Sequence, residues 1–518
     1  MNGIVPPLLV LTSLLPALVI FALAEEQRLL RTTVNLLGAA TKVVLVVVML
    51  VGVANGMSFE WRYELFAGID LALAASKPAL LFVSLSAFLW LLTTIYAIGY
   101  LEGSPHRSRF FGYFSLCVAS TMGIALADNM LTFLIFFELL TISTWPLIVH
   151  RGTDEARRAG NVYLASLVGG GTVLLVGIVW LYATVGAVEL TPGGAITDAA
   201  GNETALRWIF WLMVIGLGVK AAIVPLHGWL PRAMVAPAPV SALLHAVAVV
   251  KAGAYGISRV VLDLYGIDLA GDLGLLTPLA VIASVTIIYA SLRAIAQDEL
   301  KRRLAFSTVS QVSYIILGVA LASSVAVTAG LVHLVHQGLM KVTLFYCAGN
   351  VAERHGVHRI SEMRGLGHRM PVTMMAFTVA AIGMIGLPPT AGFITKWYLG
   401  TGAVAAGQAW VIPVLMLSTM LNAAYFLPVI ATIWRNPPAD VAAADAPSRP
   451  VGRLRAGAGT WQPQRPAIEE APAMLVVPAA ITAAASVFVA IVAASRVSPL
   501  TWAELVARAA VGGAGGAP

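Results

Sequence analysis

Arg207-Trp-Ile-Phe-Trp-Leu-Met-Val-Ile-Gly-Leu-Gly-Val-Lys220-Ala-Ala-Ile-Val-Pro225-Leu-His227-Gly-Trp229-Leu-Pro231 is an apolar run with one lysine set inside it and a proline five residues further on. An apolar stretch of ~20 residues is long enough to cross a bilayer as a helix. Proline removes a backbone donor and frees carbonyls, so this helix is predicted to break near Pro225. Interrupted helices at membrane depth are tolerated where they line a polar cavity. A second stretch repeats the arrangement: Ile385-Gly-Leu-Pro388-Pro389-Thr-Ala-Gly392-Phe-Ile-Thr-Lys396-Trp397. Two broken, lysine-bearing spans point to an all-α polytopic membrane protein built on internal repeats.

Composition agrees. Of 518 residues, 59% are hydrophobic and only 11% charged, against about 25% charged in a soluble protein. Apolar runs fall near 3–24, 34–54, 78–101, 111–127, 129–149, 160–185, 207–226, 237–262, 273–294, 303–323, 327–350, 371–399, 410–434 and 472–495, which predicts about 14 transmembrane helices. The runs are continuously apolar and do not alternate, so spanning strands are not expected. The first run lacks a basic leader and a clear cleavage pattern and is read as a retained helix.

Charge placement tests the count. With the first connection placed on the cytoplasmic side, 21 of the 32 Lys and Arg fall in odd connections and six in even connections and the tail, Arg259 among the six. That bias fits the positive-inside rule. Both termini are then expected on the non-cytoplasmic side of a prokaryotic inner membrane, and the net charge of +7 reflects orientation rather than nucleic-acid binding. The expected organisation is an N-terminal three-helix segment (1–110), two inverted five-helix repeats (111–262 and 273–434) with discontinuous helices 7 and 12, a flexible Pro/Ala-rich cytoplasmic linker (436–470), and a last helix and tail (472–518).

The chain has seven lysines, and five lie in apolar runs: Lys42, Lys220, Lys251, Lys341 and Lys396. Facing lipid, five would cost roughly 12–18 kcal/mol at the bilayer centre. They are therefore expected to face protein or water. The 25 arginines are assigned to loops and helix ends. A buried lysine can lose its proton, whereas arginine stays charged, so this division suits proton handling better than anion binding. Glu138 is the one acid placed deep in a span, and Lys220 is its candidate partner; a carboxylate held for packing alone is the competing reading.

His333, Gln337 and Lys341 are spaced by four and share a helix face for ~12 Å, with His336 at its border. Such a stripe offers alternating donors and acceptors to a hydrated proton path. Ser241 and His245 lie on one face of the eighth run, with Lys251 too far around the helix for direct contact with His245. Lys42 stands apart and is read as snorkelling or touching a partner subunit. Cys117 and Cys347 are too few to ligate a cluster or close a zinc site. No metal and no cofactor are expected, and no nucleotide loop is present.

Pro225-Leu-His-Gly-Trp-Leu-Pro231, Ala236-Pro-Ala-Pro-Val-Ser-Ala-Leu-Leu-His245, Lys301-Arg-Arg-Leu-Ala-Phe-Ser-Thr-Val-Ser-Gln311 and Gly392-Phe-Ile-Thr-Lys396 resemble the antiporter-like subunits of respiratory complex I. The same family includes large subunits of Mrp-type multisubunit cation/proton antiporters and of energy-converting membrane hydrogenases. The resemblance covers roughly 110–435. It implies fourteen helices with two inverted five-helix repeats, and it makes Glu138 the fifth-helix glutamate, Lys220 its seventh-helix partner, Lys251 the bridging lysine, Lys341 the central lysine and Lys396 the terminal one. The family commonly has Asn-His four residues before the central lysine; here His336-Gln337 stands there. Glutamine cannot carry a proton, so the relay is expected to run through His333, His336 or water.

The compact length favours a D-like Mrp protein that moves protons in a cation (Na+)/H+ antiporter. The alternative is the proton-pumping subunit of a complex I-type oxidoreductase or a hydrogenase. Either way the expected partners are other membrane subunits that supply the driving reaction. A sodium site would need several oxygen ligands, for which one deep carboxylate is a thin supply.

Overall fold

The computed structural model describes residues 2–66, 69–197, 199–436 and 468–512. The chain runs as α1 (Val5–Ala22), α2 (Arg28–Ala54), the hairpin β1 (Glu60–Phe66) and β2 (Ile69–Ala74), α3 (Lys77–Tyr100), α4 (Arg107–Leu126), α5 (Met130–Ile148), α6 (Asp154–Val185) and α7 (Glu203–Ala221). It continues through the short α8 (Trp229–Arg232), α9 (Ala238–Ala246), α10 (Val249–Arg259), α11 (Ile267–Asp272), α12 (Leu276–Ile295), α13 (Leu300–Ala320) and α14 (Ser324–His355). Then come α15 (Leu366–Arg369), α16 (Pro371–Ile385), α17 (Ala391–Ala405), α18 (Val411–Trp434) and two further helices, Ala473–Ile491 and Pro499–Val511.

Among the described residues, thirteen helical stretches are long and apolar enough to cross a membrane. A fourteenth crossing is assembled from α16 and α17, each of 15 residues. The helical form follows from the solvent: hydrocarbon offers no hydrogen bonds, so every backbone group must be satisfied within the segment. Starts are set by side-chain caps, as at Asn129, whose carboxamide oxygen accepts from Thr132 N at 2.8 Å, and at Thr153 and Ser323.

Burial ranks the spans. Ala238–Tyr265 is wholly buried, and Leu300–Ala320 and Ser324–His355 are buried along their apolar lengths, whereas most of the apolar length of Arg28–Ala54 is not. The long α14 thus runs through the middle, packed against α9, α13, α16, α17, α3 and the last two helices, while α2, α18 and Ala473–Ile491 present apolar side chains such as Val44, Met420 and Phe488 outward to lipid.

Bonds between connections sort by parity. Arg31 donates to Ser108 at 2.8 Å, Leu300 N to His358 O at 3.0 Å, and Arg369 pairs with Glu469 at 2.9 Å, joining odd with odd. Asn129 donates to Asp70 O at 2.9 Å, Thr191 N to Asp263 O at 3.1 Å, and Ser323 to Gly402 O at 2.8 Å, joining even with even. The bundle therefore has an odd face and an even face, as an unbroken alternation of crossings requires.

Several features differ from the sequence reading. The second connection folds as an antiparallel hairpin with Glu60 opposite Ala74; Trp61, Tyr63 and Leu65 alternate with Glu60, Arg62 and Glu64, a period of two outside the apolar runs. The segment after the last span is not a plain tail: it holds the 13-residue helix Pro499–Val511, whose Leu500, Ala503, Val506, Ala507 and Ala510 are buried, and which is too short to register as a span. The eighth span is itself interrupted, at Val247 and Ala248, and ends in a wide turn over Val260–Tyr265. Most of the proposed linker, 437–467, lies outside the described residues.

Candidate functional site: a row of buried amines

The first interruption positions Lys220. α7 ends at Ala221, and Ala222 adopts a left-handed conformation (φ 60°). The Val219 carbonyl accepts from Trp229 Nε1 at 2.7 Å, so the indole that follows the break satisfies one of the helix's last backbone acceptors. Lys220 is 1% exposed. Its Nζ donates to the Phe137 carbonyl and to Thr141 Oγ1 at 2.9 Å, and sits 3.4 Å from the centroid of the Phe137 ring. Glu138 is the next residue along α5, and its half-buried carboxylate lies against Gly171 of α6. Among the described residues it forms no direct ion pair with Lys220, and Glu138 Oε1 has no hydrogen-bond partner. A Cβ on Gly171 of α6 would fall 2.0 Å from that oxygen, so only glycine leaves room for the carboxylate here.

At the second interruption α16 stops at Ile385, with Gly386 at φ 89°. Lys396 Nζ reaches back to Ile385 O at 2.6 Å and to Thr419 Oγ1 at 3.0 Å, and Asn422 Nδ2 donates to Met384 O at 3.2 Å. Lys396 is half-buried, unlike Lys220, Lys251 and Lys341. Lys341 joins the same region from the other side. It donates to Ser307 Oγ at 2.7 Å; Ser307 and the Tyr425 hydroxyl lie 2.9 Å apart, and Tyr425 donates to Asn422 Oδ1 at 2.8 Å. A continuous polar string thus links the central lysine to the carbonyls freed at the second break.

Between the breaks, Lys251 Nζ donates to the Leu334 carbonyl of α14, one residue from His333 and two from His336. Both histidines turn Nδ1 onto one hydroxyl, Thr395 Oγ1, at 3.3 and 2.9 Å. Gln337 is fully buried, and among the described residues neither its amide atoms nor Nε2 of either histidine has a hydrogen-bond partner. His245 stacks on Phe345 at 4.5 Å and lies 3.2 Å from Met234 Sδ; the helix break at 247–248 separates it from Lys251. The stripe along α14 is therefore divided by its neighbours: the histidines face α17, and Lys341 faces α13. Buried polar atoms of this kind are ordinarily satisfied by protein or by ordered water, which makes this the polar interior of an otherwise apolar bundle.

The residues that sequence reasoning missed are the hydroxyl and amide partners: Thr141, Ser307, Thr395, Thr419, Asn422 and Tyr425. Ser307 and Thr395 stand inside two of the motifs quoted above; the others carry no local signal. Two placements are corrected. Lys42 neither snorkels nor faces outward: it is fully buried, donates to Ser13 of α1 and lies 5.7 Å from the Trp90 ring centroid. Arg259 is not in a loop. It is 2% exposed within α10 and its Nε lies 2.7 Å from Asp263, so Glu138 is not the one acid within the bundle. No group of three His, Cys, Asp or Glu suited to a metal occurs among the described residues.

A polytopic helical bundle with two broken, lysine-bearing spans defines the class, and comparison with known proteins names the family. The family described as NADH:quinone oxidoreductase/Mrp antiporter, TM, matches residues 127–422. The NADH-quinone oxidoreductase subunit N of Desulforudis audaxviator is 36% identical over 405 residues, 76% of this chain and 79% of that protein. The chain therefore belongs to this family. The D subunit of the Na(+)/H(+) antiporter of Bacillus subtilis is 27% identical over 81% of this chain and 84% of its own length. Hydrogenase-4 component B of Escherichia coli is 29% identical, and the match spans about half (51%) of that longer protein. In fold, the chain is similar to a subunit in the structure of the Mrp complex from Dietzia (TM-score 0.84, 24% identity, 98% of this chain and 97% of that one). The chain is thus a multi-pass membrane subunit of the antiporter family, whose solved neighbours sit in multisubunit membrane complexes.

Proposed function

We propose that this chain translocates protons within a multisubunit complex, as a D-like member of an Mrp-type cation (Na+)/H+ antiporter. Protons pass along Lys220, Lys251, Lys341 and Lys396, with Glu138 acting electrostatically on Lys220 and with His245, His333, His336 and water bridging the gaps. The odd face is cytoplasmic in this reading, and the two lysine-bearing halves, 111–262 and 273–434, act as inverted repeats around the breaks at Pro225 and at Pro388-Pro389. The observation that carries the proposal is the placing of Lys220, Lys251 and Lys341 out of lipid, each held by neutral hydroxyl or carbonyl oxygens rather than by carboxylates. A lysine so held is poised to exist in either protonation state, because no carboxylate in direct contact locks the cation.

The test is proton uptake by vesicles holding the whole complex. Lys220→Ala and Lys341→Ala are each expected to lower the rate by about a hundredfold, the scale of losing a proton-transfer group. Full rates in both would end the proposal. The 36% identity to an oxidoreductase subunit N favours a second assembly, in which the same relay is driven by quinone chemistry. Purifying the native complex separates the two: cluster-bearing peripheral subunits mark the oxidoreductase, and their absence from an intact, active complex marks the antiporter.

A further inference from the structure

The relay above needs an opening on the even face, and the eighth span points to one. Beyond Lys251, α10 carries Tyr255 and Arg259, and Asp263 follows in the wide turn, each four residues after the last. Side chains at that spacing line one side of a helix. None is more than 3% exposed. The last three are also bonded in series, while Lys251 itself bonds the Leu334 carbonyl. Arg259 Nη1 donates to the Tyr255 hydroxyl at 3.3 Å and to Ser76 Oγ at 3.0 Å, and its Nε lies 2.7 Å from Asp263 Oδ2. Tyr255 donates onward to Ala125 O at 3.0 Å. Lys251 to Tyr255 is one helical turn, a rise of ~6 Å.

This stripe ends at a cavity wall. Asp263 forms part of the wall of an even-face cavity of about 400 Å³, which Ser58 and Glu60 of the hairpin side, Asp128, Glu189 and Ser76 also line. Arg62 of β1 crosses its mouth and pairs with Glu189 and, at 3.7 Å, with Asp128. The turn over Val260–Tyr265 is a π-turn, a widening that recurs at functional positions in helices.

We propose that Lys251, Tyr255 and Asp263 form the even-face portal for protons, that Arg259 gates it, and that the cavity beneath the hairpin is its aqueous vestibule. The proposal rests on the proton-translocating reading and adds the place of exchange. A proton leaves the Lys251 ammonium, passes through water and the Tyr255 hydroxyl, and is taken by the Asp263 carboxylate. Asp263 returns it to water in the vestibule, and Lys251 is left neutral. Arg259 keeps its charge throughout; its pairing with Asp263 holds the portal shut until the carboxylate is neutralised, which releases the guanidinium to Ser76 and Tyr255 alone.

The test uses the complete complex in vesicles, with two arms and their controls. In the first arm, Tyr255→Phe and Asp263→Asn keep shape and remove the proton carriers; transport is expected to fall about tenfold or more. In the second, Ser58→Cys, on the exposed cavity wall, is measured before and after a bulky membrane-impermeant thiol reagent is added on the even face, and its own rate is expected to fall by a similar factor on labelling. Cys117 and Cys347 are buried, and the parent complex treated with the same reagent sets the background. Full transport after verified labelling overturns the portal, whatever the first arm gives, and so does full transport in both substitution variants. Lys220→Ala and Lys341→Ala are measured alongside. Loss in either with an intact portal arm removes this inference alone, whereas full transport in both removes the parent reading.

Discussion

At the residue scale the decisive contacts are those of Lys341. Its ammonium is buried and bonds Ser307 at 2.7 Å and the Leu304 carbonyl at 3.3 Å. These neutral acceptors stabilise the ammonium and do not forbid its neutral form. Lys341→Arg separates charge from proton exchange, because arginine keeps the cation and cannot be deprotonated in a protein. The expected result is a loss of proton uptake as deep as that of Lys341→Ala, with the complex still assembled. A Lys341→Arg complex that transports at the parent rate would make the residue a fixed counter-charge and not a carrier. The identities of the five deep lysines were legible because a charged side chain inside an apolar run is conspicuous. Their partners were not legible, since serine and threonine are common in such runs and a hydroxyl shows its purpose only when a lysine from another helix reaches it.

At the element scale, the approach of α7 to α10 sets the distance between the first two lysines of the row. Gly253 lies two residues past Lys251, and a Cβ there would sit 2.3 Å from Ala221 N, next to Lys220, and 2.7 Å from Leu217 O. Backbone atoms cannot swing aside as a side chain can, so Gly253→Ala must push the two helices apart. The expected cost is about 1–3 kcal/mol, read as a lower melting temperature of the detergent-solubilised complex, together with reduced proton uptake. Unchanged melting and unchanged uptake would show that the two helices slide freely at this point. The breaks in the seventh and twelfth crossings were visible from Pro225, Pro388 and Pro389. The break at Val247-Ala248 was not, because no proline or glycine marks it; α9 and α10 are both wholly buried there and tertiary packing sets the bend.

At the scale of the whole molecule, parity is the strongest result. Connections separated by dozens of residues bond only within their own face in the pairs described above, and the positive charges crowd the odd one. Glu102→Cys in the third connection and Asp272→Cys beside the eighth are exposed positions on opposite faces. An impermeant thiol reagent added to intact cells is expected to label Asp272→Cys and to reach Glu102→Cys only after the membrane is opened. The reverse pattern would invert the orientation, and labelling of both would break the count of crossings.

The sequence by itself determined the solvent of this protein, the number and order of its crossings, the interruption of two of them, the five lysines set inside apolar runs and, through four motifs, the family. These are properties of composition and local spacing, and hydrocarbon enforces them strictly because an unsatisfied backbone or a lipid-facing charge is so costly. Only the tertiary structure decided which oxygen each amine holds, that the Glu138 carboxylate lies against Gly171 without a direct ion pair to Lys220, that the α14 stripe is shared between α13 and α17, and that Arg259 and Asp263 are buried together beside an even-face cavity. Each of these depends on which distant helix covers a given side of its neighbour, and helix spacing within one segment carries no record of that choice.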